Sequence, residues 1–383
     1  MRMFLLAWRQ LTYQPGRLIV AVLGVLFANL LMFMQFGFQD ALFVSASLIQ
    51  RRLQCDIAVI SPVTTSVYMS NGFSRRLLYR LRAHPDVEAV FPVCVGGGPW
   101  KNPWTGRPRT IFILGVDLQE ATLDLPGMAE SLDELRHVDT ALFDAASRPE
   151  FGPVAEKLAA GEVVEAEVNR RRLRIRGTVK LGASFAADGN LILSQANFLR
   201  LFPERKAGVI DVGLIRLRSG ADRAAVERDI RAMVGRDLRV FNADDYIRYE
   251  RDYWADATAI GTIFTQGVFM GFLVGFVIVY QILHSDVTAH LPQYATLKAM
   301  GYSDASLTSA VMFEALIISV LGYGPGILLS LGLYQLTASA ANLAMAMSVD
   351  RALQVFLITL LMCGMSGLLA LRQLRRADPA DVF

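Results

Sequence analysis

Four long stretches of the chain are almost free of charge, and the segments between them alternate polar and apolar residues on short periods. Leu18 to Gln39, Ala257 to Leu283 and Ala352 to Leu371 contain no charged residue, and Ala305 to Val349 contains only Glu314. Each supplies the roughly 20 apolar residues that cross about 30 Å of hydrocarbon. The pattern predicts transmembrane helices over 18–39, 256–284, 305–337 and 352–371, with a short loop over 338–351 between the last two. The first run is too long for the core of a signal peptide. Phe36-Gly37-Phe38-Gln39 also lacks the small residues of a cleavage site, so the run reads as an uncleaved anchor.

The flanks set the expected orientation. Met3, Phe4, Ala7, Trp8 and Leu11 share one helical face with Arg2 and Arg9 off it, which predicts an amphipathic interfacial helix within 1–17 that bends at Pro15-Gly16. Arg2, Arg9 and Arg17 precede the first span, and Arg372, Arg375 and Arg376 open the tail 372–383. Basic residues beside spans stay on the cytoplasmic side, so both termini are expected there. That places 40–255 outside and 285–304 inside. Within the inner segment, Tyr294 to Tyr302 is rich in helix formers, with Pro292 before it and Gly301 as a stop. A short helix clamped between two spans is suited to transmit a push.

The external segment reads as an α+β domain in two lobes. Asp56 to Ile60 is a strand, and Ser74 caps a helix whose Leu77, Leu78 and Leu81 share a face. Val87 to Val95 and Thr110 to Val116 are strands joined by a loop rich in Gly, Pro and Trp, from Gly96 to Trp104. The pattern returns at Val212 to Leu217 (strand), Asp222 to Val234 (amphipathic helix) and Leu238 to Phe241 (strand). One discontinuous lobe is therefore expected over 51–117 and 195–250, with a second over 118–194. The second holds a hairpin within Val163 to Lys180 carrying Arg170, Arg171, Arg172, Arg174 and Arg176, which reads as a solvated strand face. Trp100 and Trp104 are either contact residues or folded back over the lobe.

Composition agrees with a membrane protein, at 53% apolar and 19% charged residues. A net charge of +3 is too small to point to nucleic acid. The chain has no H-E-x-x-H, no G-x-S-x-G and no Cys/His ligand spacing, so neither a catalytic nor a metal site is expected. It also has no G-x-x-x-x-G-K-[ST] loop, so ATP must be bound by another chain if at all. His84 reads as a capping or surface residue, and His284 and His290 flank Asp286 as interfacial groups. Cys55 and Cys94 are either a disulfide or two free thiols. Glu314 marks an intramembrane or interface polar site, and it is expected near the headgroups at the start of its helix. Asn29, Gln35, Gln266 and Gln281 are expected to bond between helices. Gly261, Gly267, Gly271 and Gly275 allow close packing of the second span, and Gly322 to Gly326 a kink in the third.

The residues also carry a resemblance. One span, a large external domain and three further spans resemble the FtsX/MacB-like permeases of ABC transporters. Tyr294-Ala295-Thr296-Leu297-Lys298-Ala299-Met300-Gly301-Tyr302 resembles that family's cytoplasmic helix motif. Glu314-Ala315 resembles its glutamate-alanine pair, and Ala377-Asp378-Pro379-Ala380-Asp381 its carboxy-terminal motif. Val279-Tyr280-Gln281-Ile282-Leu283, Asp286-Val287, Met362-Cys363, Asn197 to Pro203 and Tyr253-Trp254 resemble the DevC type within it.

The resemblance implies a multi-pass inner-membrane permease, without ATPase activity or cofactor of its own, working as a homodimer. A separate cytoplasmic ABC ATPase would bind the ATP. A periplasmic membrane-fusion adaptor and an outer-membrane TolC-like channel would complete a tripartite exporter of lipid-like, possibly glycolipid, cargo. Its implied mechanism is mechanotransmission from the ATPase through the spans to the periplasmic domain. An FtsX-like signalling permease, which activates a periplasmic cell-wall hydrolase, is the alternative it allows. ATPase coupling is expected at Gln293, Tyr294, Leu297, Lys298, Met300, Gly301 and Tyr302. The family's acidic residue before the tyrosine is replaced here by Gln293, which removes one charged contact to the ATPase.

Overall fold

The structure is a computed structural model that describes residues 2–120, 122–341 and 345–376, so the Ala377 to Asp381 motif lies outside the described residues. The chain divides into two compact units, Met1–Ala41 with Ala259–Phe383, and Leu42–Thr258. It opens with α1 (Arg2–Tyr13), and after one residue Pro15 begins α2 (Pro15–Ala46). Proline is tolerated at a first helical position, where its missing N–H has no partner to lose. A short α3 (Leu48–Arg52) follows, and the chain enters the inserted domain.

That domain is built on β1 (Ile57–Ile60), β2 (Phe73–Ser74), α4 (Arg75–Leu81) and β3 (Val87–Lys101). The middle section holds β4 (Pro108–Val116), α5 (Met128–Ser131), β5 (Thr140–Asp144), α6 (Val154–Ala159) and β6 (Val164–Val168). It continues through β7 (Arg171–Val179), β8 (Asn190–Ser194) and α7 (Gln195–Leu201). The chain returns through β9 (Val209–Ile210), β10 (Val212–Leu217), α8 (Arg223–Val234), β11 (Arg239–Asn242) and α9 (Ala243–Asp256).

All four residues of β1 are buried because each face of the strand feeds a different core. Ile57 and Val59 pack with Leu78, Leu81, Val226 and Ile230, from α4 and α8. Ala58 and Ile60 pack with Ile49, Val67 and Tyr246, from the α3 and α9 side. Alternate side chains of a strand point to opposite faces, so a continuous apolar run marks a strand covered twice. The local order is β11-β1-β10-β3, every neighbour antiparallel. With α4 linking β1 to β3 and α8 linking β10 to β11, this is the ferredoxin-like β-α-β-β-α-β arrangement.

The second lobe grows from the same strand. The first half of β3 pairs with β10, and its second half, Cys94 to Lys101, pairs with β4. The order then runs β4-β8-β5-β7-β6, and β6 returns to β3 at Trp100↔Val168, closing six strands into a ring. Closure shortens the strand edge that the lobe exposes.

Two expectations change here. The division between lobes lies inside β3 and not at residue 117, so Thr110 to Val116 belongs to the ring with 118–194. Gly96 to Trp100 is strand and not loop. Glycine and proline are poor strand formers, which hides the strand in the sequence, but cross-strand pairing with β4 overrides them. Trp100 folds back: it is fully buried and its indole N–H donates to the Phe151 carbonyl at 3.2 Å. Trp104, in the turn beyond, stays 43% exposed. Four arginines of the hairpin are paired, Arg171 with Asp139, Arg172 and Arg174 with Glu165, and Arg176 with Glu134. Cys55 and Cys94 are free thiols.

After α9 the chain runs into α10 (Ala259–Ala289), α11 (Leu291–Ala299), α12 (Asp304–Ala341) and α13 (Val349–Arg376). Four helices, α2, α10, α12 and α13, are long and apolar enough to cross a membrane. The fold is thus four apolar helices, one plus three, with a large α+β domain between the first and second. Glycine sets the spacing of these helices: a Cβ at Gly275 would meet Met362 Sδ at 2.4 Å and Ala28 Cβ at 2.5 Å. The same close approach brings Gly322 against Val25 and Gly326 against Asn29, and α12 continues through Pro325. Among the expected interhelical polar groups, Asn29 accepts from Thr359 at 2.5 Å.

Candidate functional site

The site begins with how α11 starts and stops. His290 closes α10 and precedes α11: its N–H donates to the Asp286 carbonyl and its own carbonyl accepts from Tyr294 N–H, both at 3.0 Å. Pro292 follows in the first turn, where no donor is required. At the other end Gly301 has φ +93°, with its N–H donating to the Lys298 carbonyl (3.0 Å) and the next N–H, of Tyr302, donating to Leu297 (3.1 Å). This pair of bonds is the Schellman closure, which requires a left-handed residue and so favours glycine. Ser303 then accepts from Ser306 N–H and starts α12. The turn between the two helices is therefore a defined structure of four residues, Met300 to Ser303.

The two faces of α11 differ. Tyr294 is 1% exposed and packs among Ala7, Leu11, Val287, Leu307 and Val311. Its hydroxyl accepts from Gln10 Nε2 at 3.3 Å, tying α11 to the amino-terminal helix. Burial pushes the phenol above its ordinary value, and the Glu314 and Asp286 carboxylates add to the shift, so Tyr294 stays neutral. Leu297 is half-buried against the same cluster, and Lys298 is half-buried. Gln293, Thr296, Met300 and Tyr302 are exposed, Met300 by 64%.

Tyr294, one of the residues expected at the coupling site, is buried and anchors the inward face of the helix. Thr296, which the motif reading passed over, shares the outward face because it stands three residues after Gln293 and four before Met300.

Glu314 lies on α12. It is fully buried, and neither carboxylate oxygen has a hydrogen-bond partner among the described residues. Glu314 projects into the helix pack, because the α12 face it occupies also carries Leu307, Ala310 and Val311, all buried. It interacts electrostatically with Asp286 and Tyr294. Asp286 lies beside His290, whose Nδ1 is 3.4 Å from Asp286 Oδ1. The buried polar groups of α10, α11 and α12 are thus brought together behind the inward face of α11. His84, by contrast, is a local cap: its Nδ1 accepts from Asp86 N–H at 3.2 Å.

A second polar junction lies where the inserted domain begins and ends. Glu250 of α9 is fully buried and accepts from Gln50 Nε2 (2.8 Å), Ser66 Oγ (2.5 Å), Val67 N–H (2.9 Å) and Trp254 Nε1 (3.0 Å). Burial pushes its carboxyl above the ordinary value, while the four donors pull it back without cancelling the shift. Gln50 lies in α3, just after the first span helix, and only Ala257 and Thr258 separate α9 from α10. One side chain therefore joins the two segments through which the domain is tethered. Sequence reading missed it because a lone glutamate in a polar helix carries no motif.

Residues 267–379 match the family model for the FtsX-like permease C-terminal domain. Over its full length the chain is similar to uncharacterized ABC transporter permeases of Mycobacterium tuberculosis, strains CDC 1551 / Oshkosh and H37Rv. Each is 21% identical over 384 residues, covering 100% of this chain and 99% of the relative. Among solved structures, the periplasmic region of MacB from Actinobacillus actinomycetemcomitans aligns at 14% identity and TM-score 0.36, covering 52% of this chain and 94% of that one. The extracellular domain of the noncanonic ABC-type transporter YknZ from Gram-positive bacteria aligns at 11% identity and TM-score 0.33, covering 49% and 99%. Over its last three spans the chain is similar to FtsX-like permeases, and over its whole length to ABC transporter permeases.

Proposed function

We propose that the chain is the non-catalytic, dimeric membrane subunit of an ABC exporter, and that α11 is the helix on which a separate cytoplasmic ATPase docks. The observation that carries this reading is the division of α11 into an inward anchor, Tyr294, and an outward face of Gln293 and Thr296, continued by exposed Met300 and Tyr302 in the turn that follows. A docking helix needs both, since a force applied to one face is transmitted only if the other is held. The anchor reaches α1 through Gln10 and the buried polar groups of α10 and α12, so displacement of α11 is felt by several helices together. At the domain end, the Glu250 junction holds the segments leading to the first two spans as one piece. The sequence of contacts supports mechanotransmission from ATPase to inserted domain.

The DevC-like residues between Val279 and Tyr302 support a finer reading: lipid-like cargo, a periplasmic adaptor and an outer-membrane channel, with both termini cytoplasmic. Cysteine cross-linking tests the docking. Met300→Cys is expected to cross-link to the partner ATPase, while Tyr294→Cys is not. Equal cross-linking at the two positions contradicts the proposed faces. Recovery of an adaptor with the purified complex supports export; recovery of a cell-wall hydrolase in its place contradicts it.

A further inference from the structure

A groove of about 760 Å³ opens on the inserted domain between the β2–β9 ribbon and α4. Its floor is apolar, formed by Phe73, the Tyr79 ring and Val209. The ribbon can close this tightly because Gly72 has no side chain; a Cβ there would meet Val209 Cγ1 at 2.2 Å. Its rim is cationic, with Arg75, Arg76, Arg80 and Lys206 and no carboxylate among the lining residues.

The charge at this rim is uncompensated. Among the described residues, none of these four side chains forms an ion pair. Arg75 is held by an aromatic ring, with Nη2 donating to Tyr79 Oη at 2.7 Å and the guanidinium 5.0 Å from the ring centroid. Its Nε is buried and has no acceptor among the described residues. The neighbouring Arg205, by contrast, is paired with Asp211 at 2.8 Å, and four of the hairpin arginines have Asp139, Glu165 and Glu134. Unpaired positive charge and an apolar trough therefore coincide at one place.

The combination selects a ligand with two parts. Guanidinium groups bind phosphate oxygens by charge-assisted, often bidentate, hydrogen bonds. An inorganic anion would leave the apolar floor in water, and a neutral amphiphile would leave the cations without a counter-charge. The volume, about 760 Å³, lies within the range of small-molecule sites. We propose that this groove binds a phospholipid-type anionic amphiphile, its phosphate on Arg75, Arg76, Arg80 and Lys206 and its apolar chain along Phe73, Tyr79 and Val209. The site is read from the groove itself, and the lipid-like cargo of the proposed function would give it a purpose.

The test is calorimetric titration of the full-length protein, in phosphatidylcholine nanodiscs, with dihexanoyl phosphatidylglycerol. Saturable binding is expected, weakened at least tenfold in Arg76→Gln/Arg80→Gln and largely restored in Arg76→Lys/Arg80→Lys. Both arginines are exposed and α4 packs through Leu78 and Leu81, so these variants are expected to keep the wild-type melting temperature. Tyr79→Ala supplies a second variant, expected to weaken the lipid and leave any binding of inorganic phosphate unchanged. The proposal is overturned by unchanged affinity in Arg76→Gln/Arg80→Gln, by equal affinity for dihexanoyl phosphatidylcholine, or by inorganic phosphate binding as tightly as the lipid. Displacement of the lipid by a lower concentration of an acidic hexapeptide also overturns it, in favour of a protein partner. Co-purification of Arg76→Gln/Arg80→Gln with the ATPase separates failure here from failure of the docking reading.

Discussion

Gln10 and Tyr294, 284 residues apart in sequence, meet at 3.3 Å, where the amide nitrogen donates to the phenol oxygen. The bond matters for where it lies: it fixes the inward face of a short helix that has few other polar holds. Tyr294→Phe removes the hydroxyl and leaves the packing, at a cost of about 0.5–1.5 kcal/mol. Tyr294→Ala removes the ring from the core and is expected to cost about 3–5 kcal/mol, the range for large aromatic deletions. Stimulation of the ATPase by reconstituted permease should therefore survive Tyr294→Phe and fall sharply in Tyr294→Ala, with neither change touching the outward face.

Gly301 is expected to be intolerant of any side chain although space around it is open. A Cβ there meets nothing within 4 Å, so the penalty comes only from φ +93°. Gly301→Ala should cost about 1 kcal/mol through backbone strain, and a β-branched residue more. Membrane insertion should be normal, with coupling to ATP hydrolysis reduced in the order Gly, Ala, Val. Equal coupling in all three would show that the Schellman closure is not needed.

Glu250 makes a prediction with a sign. Its folded carboxyl titrates above its ordinary value of 4.5, so the native state holds the proton more tightly than the unfolded chain. Its contribution to stability is full below that ordinary value and is lost as pH rises through the folded value. Glu250→Gln does not titrate, and its amide nitrogen would face donors, costing about 1–3 kcal/mol for the buried mismatch. The melting-temperature gap between wild type and Glu250→Gln should thus be widest at low pH and narrow as pH rises. A gap that widens with pH would reverse the sign.

Cys94 is buried and Cys55 partly buried, and both should behave as slowly reacting thiols. Burial pushes Cys55 to about 12 and Cys94 to about 11, so neither is a thiolate at neutral pH. Slow labelling by a thiol reagent in the native protein and fast labelling after denaturation are expected, with no mass change on reduction.

The sequence made the four apolar helices legible because length and lack of charge are enough to define them. The strands with continuous apolar runs, such as Ile57 to Ile60, were legible for the same reason. Gly96 to Trp100 was hidden because its strand depends on partners in β4 and β6, which no local pattern encodes. The motif around Tyr294 located the candidate site but not its faces. Which side of a nine-residue helix is anchored depends on Gln10, on Glu314 and on the core around Leu307, all distant in sequence. Glu250 was invisible for a similar reason: its four donors come from α3, from Ser66 and Val67, and from its own helix.

Met300 carries the most direct test. It is 64% exposed in the turn that continues the outward face of α11, opposite the Tyr294 anchor, so Met300→Asp should leave folding and membrane insertion unchanged. Co-purification of that variant with the ATPase, together with its stimulation of ATP hydrolysis, is the deciding measurement. The account predicts that both are lost. Wild-type co-purification and stimulation would contradict it and remove α11 as the docking helix.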